Sequence, residues 1–248
     1  MTGFSTSTNH DLTPMPGRRA VLAGLAAPMF GAALMRPAPL SAAPLSSATL
    51  KLPPSGRISF RVIRENKHIG QHELSFSAAP DGLKIAISVD IVVRLGPIPV
   101  FRYRLAGTET WQAGALAGAE ARTNNVGHEE HMQAVRDATG LWVSGARSTR
   151  SRIDRYRAPD DARLATHWNI AQLTGPWINP QNGELLHPSI TSHQPETLIV
   201  PPGRPVLARR HDATGDVLLS LWYDGEDQWA ALRFHARDNS LVTYERVL

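Results

Sequence analysis

Between Leu83 and Leu95 the sequence alternates strictly, and this alternation limits the possible folds more than any other feature. Every odd position is aliphatic: Leu83, Ile85, Ile87, Val89, Ile91, Val93 and Leu95. A period of two is that of a β-strand, whose successive side chains point to opposite faces. The pattern therefore predicts a strand roughly 43 Å long at ~3.3 Å per residue, far beyond the usual strand. One face of this strand is apolar along its whole length and has to be covered.

The residues after this strand predict a hairpin. Gly96-Pro97 marks a turn, and the next ribbon places Phe101, Tyr103 and Leu105 on one face and its arginines on the other. Shorter alternating segments separated by turn signals continue to the C-terminus, including Thr214-Gly215, Asp224-Gly225 and Asp238-Asn239. Helix is confined to a predicted turn or two near Pro159–Leu173.

We therefore predict a mainly β protein: a single strongly curved antiparallel sheet or partial β-barrel with one or two short helices. With so little helix, the sheet must cover its own apolar face by bending. The chain contains no cysteine, so neither disulfides nor thiolate metal sites contribute to stability. The predicted organisation is a signal over 1–48, a linker over 49–55 and one β domain over 56–248.

The N-terminus resembles a twin-arginine translocation signal. Arg18 and Arg19 precede Val21, Leu22 and an uncharged run rich in Ala and Gly, although Gly17 and Ala23 depart from the fuller motif. The run is shorter than the ~20 residues of a membrane-spanning helix, and small residues that follow predict cleavage near Ala42–Ala48. We expect export to the periplasm, with the translocase as a transient partner and no stable membrane span after cleavage. The alternatives are an uncleaved N-terminal anchor and an Arg-Arg pair that occurs by chance in an arginine-rich chain.

Several segments resemble a bacterial family of exported proteins known only as a domain of unknown function. The similarity covers residues 56–248 and rests on Ile69-Gly70, FRYR at 101–104, ETW at 109–111, HWN at 167–169, NPQNGEL at 179–185, GDVLLSLWYD at 215–224 and VTYE at 242–245. The resemblance implies a curved, mostly antiparallel sheet that partly wraps a core. It implies no activity and assigns no catalytic residue.

Motifs for metal binding and catalysis are weak. In GHEEH at 127–131 the histidines are three apart, whereas the zinc-protease helix needs four. As a strand, the segment would place His128 and Glu130 on one face and Glu129 and His131 on the other. No G-x-S-x-G motif is present, and Ser192-His193 is only an adjacent pair. We predict no metal, no cofactor and no catalytic residues, so that a hydrolase is the less favoured reading.

The net charge does not indicate a nucleic-acid partner. Removing the first 48 residues takes three arginines and one aspartate from 26 basic and 22 acidic residues, leaving a nearly neutral chain. The arginine-rich stretch 145–157 contains a single aromatic residue, Tyr156, whereas single-stranded nucleic acid is usually bound on several. An arginine-rich outer strand and turn explain this stretch, and a contact with an anionic lipid or glycan is the alternative.

The leading functional hypothesis is an apolar concavity that binds or carries a lipophilic ligand. The alternative is a structural or assembly role with a core filled by side chains, because both need the same alternation. Trp168 and Trp177 flank a short loop, with polar amides just beyond, and either a pocket or a packed plug explains them. The candidate ligand-binding residues are Ile85, Ile87, Val89, Ile91, Phe101, Tyr103, Trp111, Trp168, Asn169, Asn179 and Gln181.

Overall fold

The computed structural model describes residues 50–248. The predicted signal, with Arg18, Arg19 and the cleavage region Ala42–Ala48, lies outside the described residues. The first eight strands are β1 Arg57–Arg64, β2 Lys67–Ala79, β3 Gly82–Leu95, β4 Ile98–Gln112, β5 Ala115–Asn125, β6 His128–Asp137, β7 Gly140–Ser148 and β8 Ser151–Arg157. After them come the short strands β9 Arg163–Leu164, β10 Trp177–Ile178 and β11 Leu185–Leu186, with a 3-10 helix at Ile170–Thr174. The remaining strands are β12 Pro188–Val200, β13 Arg204–Gly215, β14 Leu219–Asp224, β15 Trp229–His235 and β16 Leu241–Val247.

Thirteen strands form one antiparallel sheet in the order β12-β13-β14-β15-β16-β1-β2-β3-β4-β5-β6-β7-β8. The N-terminal meander β1–β8 and the C-terminal meander β12–β16 are joined where β16 pairs with β1. The sheet is open, with β8 and β12 at its edges. Charged residues on β8 and Pro188 and Pro195 on β12 disfavour pairing with another chain at these edges.

The predicted long strand and hairpin are confirmed. The odd residues Leu83–Ile91 of β3 are buried, and the residues between them are exposed or half-buried. β3 pairs along its length with β4, from Leu83 opposite Trp111 to Leu95 opposite Ile98. The predicted fold class is also confirmed, since the sheet curves until the inner sides of its two meanders share one hydrophobic core.

Residues 158–187, between β8 and β12, form an inner segment that packs against the concave face. It contains the 3-10 helix and a separate three-stranded sheet in the order β11-β10-β9. The predicted helix near Pro159–Leu173 is shorter and begins later than expected. Ala162 N–H bonds to Pro159 O in a turn, and the helix starts only after Asn169, whose side chain accepts from Ala171 N–H. Gly175-Pro176 follows it directly, and proline does not continue a helix.

Candidate functional site

The turns of the sheet lie at two ends. The upper end carries the turns at 65–66, 96–97, 126–127, 149–150, 216–218 and 236–240, and the lower end carries those at 80–81, 113–114, 138–139, 201–203 and 225–228. The inner segment fills the concave face toward the lower end. Trp168 illustrates this packing, because its ring meets Trp111 and Phe76 edge-on at centroid distances of 5.3 and 5.4 Å.

Glu109 of β4 fastens the inner segment to the sheet. Its carboxylate accepts hydrogen bonds from Trp111 Nε1 at 2.7 Å, Trp168 Nε1 at 3.0 Å and Thr166 Oγ1 at 2.6 Å. The residue is 1% exposed, so burial raises the pKa of its carboxyl, and the three donors act against that rise. A buried carboxylate is tolerated only when its oxygens are bonded, and here both are.

Gln172 organises the middle of the inner segment. Its amide oxygen accepts from His167 N–H at 3.2 Å, and its amide nitrogen lies 3.0 Å from His167 Nδ1 and 2.7 Å from the Tyr223 hydroxyl. Tyr223 in turn donates to His167 O at 2.9 Å. An amide nitrogen only donates, so His167 Nδ1 is the acceptor and the ring carries its proton on Nε2.

The NPQNGEL loop packs against β6, β7 and β8. A Cβ at Gly145 would lie 2.0 Å from Asn182 O, so the close approach of loop and β7 requires glycine there. Tyr156 donates to Gly183 O at 2.8 Å, and Asn182 Nδ2 donates to Glu130 at 3.1 Å. Burial of this kind raises the pKa of Tyr156 to about 12. The loop is thus held from three strands.

Above the inner segment the concave face borders an open cavity of about 1450 Å³, here called the upper cavity. Its wall is mostly aliphatic and aromatic. The lower end has no comparable space among the described residues, because the inner segment fills it. The wall residues from the two meanders include Ile87, Val89, Ile91, Val93, Phe101, Tyr103 and Leu105 on one side and Leu219, Leu232, Phe234, Val242 and Tyr244 on the other.

The mouth of the upper cavity lies at the upper end. Val100, Val126 and Leu218 line it and are exposed, and Leu95 and Ile98 at the neighbouring hairpin tip are exposed as well. All the charged lining residues lie within three positions of an upper turn, namely Arg64, Glu130, Arg147, Asp216, Arg237 and Asp238. The rim is therefore charged and apolar together, while the interior below it carries no charged side chain among the described lining residues.

The floor of the upper cavity is formed by His72, His167, Trp177 and Trp229. Both imidazole rings lie 5.3 Å from the Trp229 ring, and Tyr244 meets His72 at 5.8 Å. Burial lowers the pKa of His72 to about 3, with a smaller effect from His167, and lowers the pKa of His167 to about 4. Both rings are therefore uncharged near neutral pH.

The candidate ligand-binding residues separate into two groups. Ile87, Val89, Ile91, Phe101, Tyr103, Asn179 and Gln181 line the upper cavity. Ile85 is fully buried in the core at the lower end, Trp111 and Trp168 donate to Glu109, and Asn169 caps the 3-10 helix. For both groups, a role in ligand binding stays a prediction.

Sequence reasoning did not include His72, Glu109 or Gln172 among the candidate ligand-binding residues. The alternation already contains a signal for two of them: Glu109 shares parity with Leu105 and Trp111, and His72 shares parity with Leu74. A polar residue on an apolar face is expected to have a partner or a function. Gln172 lies in the 3-10 helix, which is too short for a period in the sequence to indicate its orientation.

The catalytic and metal candidates are dispersed. Ser192 Oγ lies 2.9 Å from His211 Nδ1, whereas His193 bonds Asp212 at 2.7 Å, so no described carboxylate orients the His211 ring as in a triad. His128 and Glu130 line the upper cavity, and Glu129 accepts from Asn124 on the other face. Among residues 50–248, no three His, Asp or Glu side chains come together as a metal site.

The arginine-rich stretch 145–157 forms the end of β7, a turn and the edge strand β8. Arg147 pairs with Glu184, Arg157 pairs with Asp160 at 2.7 Å, and Arg155 lies over the Trp142 ring at 4.3 Å. In the part of the chain that the structure covers, no helix has both the length and the apolar character needed to cross a membrane.

Comparison with known proteins agrees with this description. The family model of the domain of unknown function DUF6134 matches residues 60–247. A solved β-barrel-like protein of the domain of unknown function DUF1849 from Brucella abortus is similar in fold, with a TM-score of 0.51 at 6% sequence identity, over 77% of this chain and 94% of that one. No curated protein matches the chain.

Proposed function

The chain belongs to the DUF6134 family, and from the geometry of the upper cavity we propose that this protein binds and carries a lipophilic small molecule without transforming it. The observation that carries the proposal is the unfilled apolar volume of about 1450 Å³ above the inner segment. Pockets for small molecules usually measure about 300–1,000 Å³. The upper cavity therefore has room for a lipid-sized ligand.

The chemistry of the wall supports a lipophilic ligand. Val89, Ile91 and Val93 face the cavity from one strand, and Phe234 and Val242 face it from the opposite meander. Covering apolar surface contributes about 25 cal/mol per Å², so a ligand that covers these side chains gains affinity from the whole wall. Exposed apolar residues at the mouth, such as Leu218, offer apolar contacts to a ligand that enters between the charged residues of the rim.

The same cavity argues against the two alternatives. A structural or assembly role with a filled core fits the lower end, but no described residue fills the upper cavity. A hydrolase would need a nucleophile, a base and an orienting carboxylate in one cleft. Ser192 and His211 lie on β12 and β13, and neither lines the upper cavity.

Binding of a neutral fluorescent lipophile, Nile red, tests the proposal. We expect saturable binding to the purified protein. Ile91→Trp places a large ring inside the cavity and should weaken binding at least about tenfold, equivalent to about 1.4 kcal/mol. Val92→Trp is the matched control, because Val92 follows on the same strand but does not line the cavity, and it should change binding less than twofold.

Two results would overturn the binding proposal. One is the absence of saturable Nile red binding by the unmodified protein. The other is equal binding by Ile91→Trp and Val92→Trp, which would place the dye elsewhere. Circular dichroism of both variants ensures that the compared proteins are folded.

The proposal includes export through the twin-arginine translocase into the periplasm. It is supported by Arg18 and Arg19 before an uncharged run, and by small residues near Ala42–Ala48. The double substitution Arg18→Lys, Arg19→Lys should leave the full-length chain in the cytoplasm, whereas the unmodified chain should appear in the periplasm shortened by about 42–48 residues. Unchanged periplasmic appearance of the double variant would contradict this route.

A further inference from the structure

The ring of His72 is packed in the core, but its buried Nε2 makes no hydrogen bond to any described residue. Its ring lines the upper cavity between Trp229 and Tyr244, with Phe60 behind it at 6.3 Å. A buried nitrogen without a partner destabilises the fold, so packing alone does not account for a histidine at this position.

His167 reaches the same floor from the inner segment. Its backbone has a φ of 67°, in the left-handed region that residues other than glycine rarely adopt. Gln172 holds Nδ1, so the remaining ring nitrogen, Nε2, carries the proton and is free to donate. The protein thus orients a hydrogen-bond donor at the floor of an apolar cavity.

Both rings approach Trp229 at the same centroid distance, 5.3 Å, and each lines the cavity. They therefore form one polar patch on an apolar floor. The charged groups that line the cavity stay near the upper turns, where Arg64, Arg237 and Asp238 lie. An anionic group at the floor would have no described cation beside it, and burying an unpaired charge is strongly unfavourable.

Resting on the proposed function, we propose that the His72–His167 patch receives an uncharged carbonyl group of the bound lipophile, so that the ligand enters polar end first and its hydrocarbon chain extends along β3 toward the mouth. His167 Nε2–H donates to the carbonyl oxygen. His72 supplies a second donor through Nδ1–H, because its Nε2 is enclosed by protein atoms. The ligand class is a neutral carbonyl-bearing lipid, such as an ester, and not a fatty-acid anion.

Displacement of Nile red by three ligands with similar chains tests this inference at pH 7.4. Methyl laurate offers a neutral carbonyl, laurate offers a carboxylate, and dodecane offers no polar group. The informative variant is His72→Phe, which keeps an aromatic ring and removes the hydrogen bond. It should weaken the binding of methyl laurate about three- to tenfold, the size expected for one hydrogen bond. The affinity for dodecane should change less than twofold. His72→Gln, which can still donate, should bind methyl laurate more tightly than His72→Phe does.

The thermal midpoint gives a second readout. Because His72 Nε2 lacks a partner among the described residues, His72→Phe should raise the Tm of the unliganded protein. The same substitution should weaken the binding of methyl laurate. A purely structural histidine would not give this combination. If His72→Phe does not fold, His72→Leu answers the same question.

The outcomes separate the inference from the proposed function. Tight binding of dodecane and methyl laurate, with neither affected by His72→Phe, leaves the carrier proposal standing and overturns the carbonyl site. Laurate that binds as tightly as methyl laurate and is weakened by His72→Phe also overturns it, because the floor would then accept an anion. Failure of all three ligands to displace Nile red from a folded protein overturns the inference together with the proposed function.

Discussion

The lower and upper ends of β3 have the same sequence pattern but different surroundings. Leu83 and Ile85 lie near the lower end of the strand, in a core that the inner segment helps to fill. Val89, Ile91 and Val93 continue the alternation, yet they line the upper cavity. A strict period of two specifies which face of a strand is inward and gives no information about what covers it. The cover depends on distant residues, here those of the inner segment.

Glu109 holds the inner segment at the lower end, so removing its carboxylate should give the largest loss in the free energy of unfolding. Glu109→Ala leaves Trp111, Trp168 and Thr166 without their buried acceptor, so we expect a loss of about 3–5 kcal/mol in the free energy of unfolding. Glu109→Gln keeps an acceptor oxygen of similar shape and should lose much less. Urea denaturation measures both. Equal losses for Ala and Gln would mean that Glu109 does not fasten the inner segment.

The two isoleucines of β3 compare the two ends directly. Ile85→Ala opens a hole in a packed core and should cost about 2–5 kcal/mol. Ile91→Ala enlarges a space that is already present, so it should lose mainly the transfer free energy, about 1–2 kcal/mol. The same denaturation experiment gives the difference. If Ile91→Ala is as costly as Ile85→Ala, the upper end is as tightly packed as the lower one.

Acid should weaken the upper end through the floor histidines. Burial lowers the pKa of His72 from 6.5 to about 3, so below pH 6.5 the unfolded chain binds a proton that the folded chain does not. This contribution to stability is complete above pH 6.5 and is lost as the pH falls, by up to about 1.4 kcal/mol per pH unit. The raised pKa of Glu109 acts in the opposite direction.

Comparison with His72→Phe isolates the histidine contribution from the other titrating groups. Between pH 6.5 and 5 the free energy of unfolding should fall more steeply for the unmodified protein than for the variant. Parallel pH profiles would show that His72 is protonated equally in both states.

The sequence predicted the sheet well because strands leave a local periodic signal. The alternation of β3, the turn at Gly96-Pro97 and the faces of β4 all follow from neighbouring residues. The inner segment was poorly predicted, since its short strands and 3-10 helix have no period and are held by long-range bonds such as Trp168 to Glu109. For the candidate site, parity predicted Val89, Ile91 and Tyr103 in the cavity wall. It could not predict the floor, which combines His72 of β2 with His167 of the inner segment.

Native mass spectrometry of the protein isolated from the cells that naturally make it tests the central claim most directly. The account predicts a non-covalent adduct of lipid mass on the unmodified protein and on Val92→Trp, absent or strongly reduced on Ile91→Trp. A bare polypeptide mass for all three proteins under gentle ionisation, or an adduct that Ile91→Trp retains in full, would contradict the claim that the upper cavity is a ligand site.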